Sequence, residues 1–527
     1  MNRTTISLLA ATTALAAVTG LAALTAPDGG AATEAKAPAR LPVERSSLLC
    51  PAPSSSELAQ TQYTSFTPAG KSADAKGGTA ELKASTAVLT DPGSATPKKD
   101  ETKKKDGAKK GTAAAKGDAA KGAKKPAPDK AVLALKEPGK PVGAEAGGGD
   151  APALVGTATG RLAPGWTAQQ TTTVTAGSAR GVLGVGCTGP DTDFWFAGVS
   201  TAENRQDYVH LTNPDATAAV ADIELYGKDG ALKTTLTEGI PVPAGSSVPV
   251  LLSTLTSEAT ADVTVHVTTR TGRVGAVVRA AEDKTGSDWL TASADPSGTA
   301  VLPGIPADAT SVRLVVFAPG DDDADLKVQL AGATGRITPA GHETVHVKSG
   351  MTTSVDLLDV TKGEAGSLIL SPSQSGRATP VVAALRVVRG KGDKQEVAFI
   401  PATAPVGERA TAADNRAKGS TLALTAPGAT AQVKVTASAG TEGGTPVVKT
   451  YTVKAGTTLA VTPPVPAGLK GSYALTVETQ SGGPVHASRM LALPQDGIQM
   501  FTVQTLPDDR GTVAVPEAEQ DLSVLDD

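Results

Sequence analysis

The sequence predicts an all-β protein built from tandem immunoglobulin-like β-sandwich domains, with a long disordered insertion near the N-terminus. The main observation is a unit that recurs three times in the 527 residues, with central glycines at Gly245, Gly350 and Gly456, spaced 105 and 106 positions apart. Short runs alternate apolar and polar residues, as strands with one face in water do. No segment keeps a helical period. A unit of this length is a domain, since solenoid repeats run from 20 to 50 residues.

Two further anchors recur in step with these glycines and confirm the register of the repeat. One is a second glycine in a polar turn, and the other is a proline that ends a short apolar run. They are Gly272, Gly376 and Gly482, and Pro214, Pro319 and Pro427.

Each repeat contains about seven short strands divided by Gly, Pro and Asp turns, which is typical of an immunoglobulin-like sandwich. The opening strand of each repeat is predicted at residues 193–198, 299–304 and 396–401. The repeats are therefore predicted at 193–298, 299–395 and 396–506, arranged as a row.

The composition excludes one class of partner. The formal net charge is −4, which argues against nucleic acid. The charge is uneven, because residues 98–125 hold eleven lysines and four acids, whereas the tail 507–527 holds seven acids and one arginine. We expect that tail to be flexible.

An N-terminal β-module is predicted in two pieces, 41–67 and 151–192. Between them, residues 68–150 contain no aromatic residue and are rich in Lys, Ala, Gly and Pro. Such a segment cannot bury enough apolar surface to offset the entropy of ordering. Residues 68–150 are therefore predicted to be a disordered insertion, with weak strand signals at 86–90 and 131–135.

The N-terminal residues 1–26 have the pattern of an export signal. Arg3 precedes an uncharged, mostly apolar run from residue 6 to residue 24, and small residues follow. The alternative is an uncleaved N-terminal anchor, since the run is about as long as a membrane span. We expect an exported, extracytoplasmic protein, either secreted or tethered by this segment.

Cys50 and Cys187 are the two cysteines of the chain. In an exported protein an even count predicts a disulfide bond. Such a bond would join both pieces of the N-terminal module. The alternatives are a lipid anchor at Cys50 and two unpaired buried thiols.

The densest group of aromatic residues is Phe194, Trp195 and Phe196. Exposed aromatic rings stack on sugars and on protein partners, so these three and Trp289 form a candidate binding surface. The alternative is that they fill module junctions. In that case the group at Trp195 would lie between the N-terminal module and repeat 1, and Trp289 between repeats 1 and 2.

Two local patterns resemble metal sites but lack the required geometry. His342 and His346 are four residues apart, which in a strand separates them by about 13 Å. The acidic run that begins at Asp321 lacks the glycine and the glutamate of a calcium loop. No hydrolase, phosphate-binding or dinucleotide motif is present, so we expect no enzyme activity, no metal and no cofactor.

Four segments resemble an exported actinobacterial family of unknown function with tandem immunoglobulin-like β-sandwich repeats. The most specific runs from Cys187 to Phe196 and contains Phe-Trp-Phe. The others are Cys50-Pro51, Leu211-Thr-Asn-Pro214 and Gly286-Ser-Asp-Trp-Leu290. The resemblance covers residues 41–506 and implies export, but it implies no activity.

The functional expectation is a non-catalytic structural or protein-interaction scaffold of the cell envelope. The alternative is binding to a wall polysaccharide or anionic polymer, through the Trp195 region or the lysine-rich insertion. The expected partner is an envelope protein or wall polymer, with membrane contact only through an uncleaved N-terminal segment. We expect a monomer.

Overall fold

The protein is described by a computed structural model that covers residues 39–70, 77–87, 130–236, 238–374 and 378–515. Apart from three single-turn 3₁₀ helices (Gly160–Leu162, Leu252–Thr254 and Gly392–Lys394), the regular elements of these residues are strands. The predicted all-β class is confirmed. Within the described ranges, no helix is long and apolar enough to cross a membrane. The predicted export signal at residues 1–26 lies outside them.

The N-terminal module packs two four-stranded sheets against each other. Its strands are β2 (Arg45–Cys50), β3 (Ala59–Phe66), β4 (Ala80–Ala84), β6 (Ala131–Leu135), β7 (Val142–Gly147), β8 (Leu154–Thr159), β9 (Thr167–Val174) and β10 (Gly181–Gly186). One sheet has the order β2-β8-β4-β6, and the other has the order β10-β9-β3-β7.

Repeat 1 is a sandwich of two five-stranded sheets. Its strands are β11 (Asp193–Val199), β12 (Arg205–Thr212), β13 (Ala219–Gly227), β14 (Gly230–Ala231), β15 (Ile240–Val242), β16 (Ser246–Leu251), β17 (Val263–Thr271), β18 (Gly275–Glu282) and β19 (Gly286–Leu290). The sheets have the orders β11-β17-β13-β14, with β15 also on β13, and β19-β18-β12-β16-β5. The strand β5 (Thr86–Ala87) comes from the N-terminal part of the chain and pairs parallel with β16.

Repeats 2 and 3 follow the same strand plan, with one extra strand in repeat 3, Ala467–Lys470. The strands of repeat 2 are β20 (Ala300–Ile305), β21 (Ala309–Phe317), β22 (Ala324–Ala331), β23 (Arg336–Ile337), β24 (Thr344–Val347), β25 (Thr352–Asp356), β26 (Gly366–Pro372), β27 (Val382–Arg389) and β28 (Glu396–Pro401). Those of repeat 3 are β29 (Arg409–Asn415), β30 (Ser420–Ala426), β31 (Ala431–Gly440), β32 (Gly443–Thr445), β33 (Val447–Val453), β34 (Thr457–Val461), β35 (Ala467–Lys470), β36 (Tyr473–Gly482), β37 (His486–Ala492) and β38 (Phe501–Thr505).

The central glycines of the repeat occupy turns that a side chain would strain. Gly245, Gly350 and Gly456 have φ values of 58°, 67° and 71°. This left-handed region favours glycine because residues with a Cβ are strained there. The regular spacing in the sequence therefore reports a repeated backbone conformation.

The predicted start of repeat 3 is wrong by one strand. Glu396–Pro401 (β28) pairs with β27 and closes a sheet of repeat 2, whereas β29 takes the first position of repeat 3. Glu396–Pro401 has the apolar pattern of the first strands of repeats 1 and 2, whereas the actual first strand of repeat 3, β29, contains Arg, Thr, Asp and Asn and gives no such signal.

The four modules contact one another in a closed circuit, not in the predicted row. Strand β10 of the N-terminal module lies beside β19 of repeat 1 and β38 of repeat 3. Strand β28 of repeat 2 lies beside both β19 and β38, and β9 lies beside β29. The N-terminal module therefore packs against the last repeat as well as the first.

The predicted insertion is shorter than expected. Strands β4 to β7 all lie between residues 68 and 150, and Leu82, Leu133 and Leu135 are buried in the core of the N-terminal module. Pairing of β4 with β8, and of β6 with β4, gives these sparse apolar residues a surface to pack on. Residues 71–76 and 88–129, which include the whole lysine-rich run 98–125, lie outside the described residues.

Part of the predicted flexible tail is ordered too. Asp509 forms an ion pair with Arg409, with Nε–Oδ2 2.5 Å. Strand β39 (Thr512–Val515) pairs with β1 (Ala39–Pro42) in a two-stranded ribbon, a compact unit of its own. Both patterns depend on partners far away in sequence, which the composition of the tail does not reveal. Residues 516–527 lie outside the described residues.

A core substitution inside the predicted insertion tests whether β4 is ordered. Leu82 is 0% exposed, so Leu82→Ala should lower the free energy of unfolding by about 2–5 kcal/mol. The neighbouring Lys83→Ala should change it little, because Lys83 is exposed. Urea unfolding followed by circular dichroism measures both. Equal midpoints for the two variants would contradict an ordered β4.

Candidate functional site

The predicted disulfide is present and joins the two sheets of the N-terminal module. Cys50 ends β2 and Cys187 directly follows β10; their Cα atoms are 4.5 Å apart, and the two residues are 137 positions apart in sequence. Both cysteines are buried. The bond therefore connects the two sides of the insertion, as expected, and a disulfide is consistent with an oxidising compartment.

Trp195 does not form an exposed binding surface, because it is only 9% exposed. Its ring stacks on His266 with centroids 3.6 Å apart, and it packs against Phe317 and Val382 of repeat 2. Trp195 therefore fills the junction between repeats 1 and 2. The expected alternative placed it at the other end of repeat 1.

Phe194 and Phe196 point to the opposite side of β11 and are buried in the core of repeat 1. This alternation follows from the period of two along a strand. The Phe-Trp-Phe segment thus serves two purposes. Its outer rings stabilise the sandwich and its central ring contacts the next module.

Trp289 is also buried, at the junction between repeat 1 and the N-terminal module. It packs with Leu183 and Val185 of β10, and its ring meets that of His210 edge-on, with centroids 5.1 Å apart. The prediction that Trp289 separates repeats 1 and 2 is wrong. The two tryptophans occupy each other's predicted junctions, because sequence order does not reveal which sheet face a module presents to its neighbour.

A buried polar network, which we call the central junction, lies where β10, β19 and β38 meet. Asp288 Oδ1 accepts hydrogen bonds from the backbone N–H of Gly184, at 3.1 Å, and from Thr502 Oγ1, at 3.1 Å. Asp288 is 0% exposed, and burial raises its pKa well above the ordinary value. One side chain of repeat 1 thus connects the N-terminal module to repeat 3.

The same junction continues through Arg489 of repeat 3, whose side chain is fully buried. Its guanidinium donates to Gln169 Oε1 of the N-terminal module at 3.1 Å and to Gln504. Asp414 Oδ2 accepts from Thr171 Oγ1 at 2.7 Å. Burial lowers the pKa of Arg489 to about 10, while the nearby Asp414 opposes the shift.

Glu396 is the third buried acid of the central junction. It is 0% exposed, and its Oε2 lies 3.4 Å from Arg180 Nε. Burial raises the pKa of Glu396 to about 8, although Arg180 acts to lower it. The pair connects repeat 2 with the N-terminal module.

Ion pairs also cross between repeats 1 and 2. Arg386 Nε lies 3.0 Å from Glu282 Oε2, and Arg313 Nε lies 2.8 Å from Asp262 Oδ2. The junction between repeats 2 and 3 is held by Ser367 Oγ and Thr425 Oγ1, 2.7 Å apart. Every contact of the circuit therefore contains polar bonds, not apolar packing alone.

The sequence reasoning missed the residues of the central junction. Asp288, Glu396 and Arg489 each lie in a short buried strand, where charged side chains are rare unless paired. The one sequence signal that could have revealed these residues is a single charged residue within a short apolar strand. These groups are closed off from solvent, and their bonds hold modules together.

The two sequence patterns that resemble metal sites, His342 with His346 and the acidic run from Asp321, lie at the surface. His346 is exposed and bonds Asp325, with Nδ1–Oδ1 2.8 Å, while His342 is half-buried. Asp321 is exposed in a turn. Within the described residues, no group of three or more His, Cys, Asp or Glu side chains could hold a metal ion.

With the fold and junctions established, comparison with known proteins gives one family. Its model matches residues 142–464, from β7 to just beyond β34, which is more than half of the chain. The chain belongs to DUF5719, a family of unknown function. The match spans the second part of the N-terminal module, repeats 1 and 2 and most of repeat 3. No curated protein matches the chain.

Breaking the disulfide should destabilise this DUF5719 protein strongly. In the chain-entropy model a bond that closes a loop of this length stabilises by about 4–5 kcal/mol. The Cys50→Ser/Cys187→Ser protein should therefore unfold at lower urea concentration than the oxidised wild type. Dithiothreitol should lower the midpoint of the wild type only. A wild-type midpoint unchanged by reduction would contradict this role.

The central junction should make stability depend on pH. Because the folded-state pKa of Glu396 is raised, the folded protein holds a proton that the unfolded chain releases above its ordinary pKa of 4.5. The contribution of Glu396 to the free energy of unfolding is therefore fully present below about pH 4.5 and is lost as the pH rises through about 8. Glu396→Gln should remove this pH-dependent change in the free energy of unfolding, which is on the order of a few kcal/mol.

Urea midpoints of both proteins between pH 5 and 9 measure this difference. Glu364→Gln is the matched control, because Glu364 is exposed on repeat 2. Parallel curves for wild type and Glu396→Gln would contradict a buried, protonated Glu396.

Proposed function

We propose that the protein is a non-catalytic structural or protein-interaction scaffold of the cell envelope. Its sandwiches would be immunoglobulin-like, its family would be exported and actinobacterial, and its partner would be an envelope protein. The observation that carries the proposal is the closed circuit of four modules with polar bonds at each junction. Such a body holds its outer loops and sheet edges at fixed positions relative to one another.

Two further observations support this proposal over catalysis. The most strongly perturbed acids, Asp288 and Glu396, are 0% exposed and join modules. The aromatic residues expected to bind a ligand are buried in cores and junctions. Perturbed acids mark active sites when they lie in a cleft, and these two do not.

The alternative that Trp195 binds a wall polymer is not supported, because repeat 2 covers that ring. Binding of an anionic polymer by the lysine-rich residues 98–125 stays a prediction, since these residues lie outside the described part of the chain.

Photo-crosslinking in intact cells tests the scaffold proposal. A photoreactive amino acid would replace Ile337, Leu358 or Val448, which are 56%, 61% and 58% exposed on repeats 2 and 3. We expect at least one position to give a discrete adduct with an envelope protein after irradiation. The same replacement at the exposed, polar Lys228 measures non-specific capture.

Identical adduct patterns at all four positions would contradict a specific protein partner. A second measurement addresses catalysis. Purified protein incubated with isolated cell walls should release no soluble fragments, and release that depends on the protein would overturn the non-catalytic role.

A further inference from the structure

A polar groove lies on repeat 1, between the turn that joins β11 to β12 and the segment that follows β16. Its volume is about 450 Å³, within the range of small-ligand sites. The floor contains Tyr208 of β12 and Leu251 of β16, which are directly opposite each other in the sheet and half-buried. We call this feature the repeat-1 groove.

Five exposed polar side chains line the walls of the repeat-1 groove. They are Glu203, Gln206, Ser253, Ser257 and Glu258. None of the five side chains makes a hydrogen bond or ion pair within the part of the chain that the structure describes. Their donors and acceptors are therefore free to meet a ligand.

The walls of the groove are fixed by hydrogen bonds beneath the surface. Thr201 Oγ1 donates to the backbone oxygen of Glu258 at 2.7 Å and accepts from the backbone N–H of Thr260 at 3.0 Å. These bonds join the two walls. A preformed site loses less entropy when a ligand binds.

The charges of the groove limit the chemistry of its ligand. Glu203 and Glu258 are uncompensated carboxylates, whereas the one cation among the lining residues, Arg205, is paired with Asp207 and contacts the oxygen of Gly198. The buried Arg205 bonds Asp207 through Nε at 3.2 Å. Among the lining residues an anionic polymer would meet two like charges and no unpaired cation; the half-buried Arg279, whose guanidinium lies 5.3 Å from the Tyr208 ring centroid, is not one of them.

An uncharged sugar satisfies each of these constraints. The C–H face of a sugar ring can contact the apolar atoms of Tyr208 and Leu251. Its hydroxyl groups can donate to the two carboxylates and exchange hydrogen bonds with the amide and the two serines. Hydrogen bonds to charged acceptors are the stronger kind.

We propose that the repeat-1 groove binds a short, uncharged oligosaccharide. This binding goes beyond the scaffold function and does not depend on it. It would give the scaffold an attachment to glycan through a single repeat, since the residues of the groove are not shared by the other repeats.

Isothermal titration calorimetry of the full chain tests the proposal with three uncharged probes: maltotriose, cellotriose and N,N′,N″-triacetylchitotriose. We expect at least one of them to bind. The Glu203→Gln/Glu258→Gln protein should bind that probe about tenfold or more weakly, because it loses charge-assisted hydrogen bonds. Glu364→Gln, an exposed change on repeat 2, should bind like the wild type.

A second variant fills the groove without removing any of its polar side chains. Ala259 is exposed at the rim of the groove, so Ala259→Trp should block the groove and abolish binding while the urea midpoint stays unchanged. Heparin, a polyanion, should not bind the groove. The proposal is overturned if no trisaccharide binds, or if both groove variants bind the trisaccharide like the wild type. It is also overturned if the wild type binds heparin and the groove variants do not.

Discussion

The arrangement of this protein depends on buried polar groups that only neighbouring modules can satisfy. Asp288 accepts hydrogen bonds from the N-terminal module and from repeat 3, while Glu396 and Arg489 reach across to the N-terminal module. A buried polar group without partners costs several kcal/mol. Each module therefore carries groups whose desolvation is offset only when the circuit is closed.

This constraint explains why three similar repeats do not extend as a row. In a row the N-terminal module would not reach repeat 3, so the buried Arg489 would lose Gln169 and Asp414 would lose Thr171. In the observed circuit, Trp195 closes one junction of repeat 1 and Trp289 closes the other. Strand β5 strengthens the second junction by joining the sheet of repeat 1 from the N-terminal part of the chain. The repeated residues thus form the sandwiches, and the residues that differ between repeats connect them.

The fold was predictable to the extent that it is local. Turn glycines such as Gly245 require a particular φ, and alternating strands require a buried face, so both leave a pattern in sequence. The disulfide followed from a count of two cysteines. Three predictions were wrong: where repeat 3 starts, where the insertion begins and ends, and that the whole tail is flexible. In each case a strand is held by partners distant in sequence: Glu396–Pro401 by β27, Leu82 by β8 and Asp509 by Arg409.

By itself, the sequence determined the number of repeats and the all-β class, and it left Cys50 and Cys187 as the one possible disulfide pair, because these depend on backbone conformation, period and residue count. Only the tertiary structure decided which faces the modules present to one another. It buried Trp195 and Trp289, brought Asp288 between two other modules, and left the groove at Tyr208 open. The physical reason is that contacts between modules join residues hundreds of positions apart, and no local pattern of polarity records which of two equivalent sheet faces will be covered.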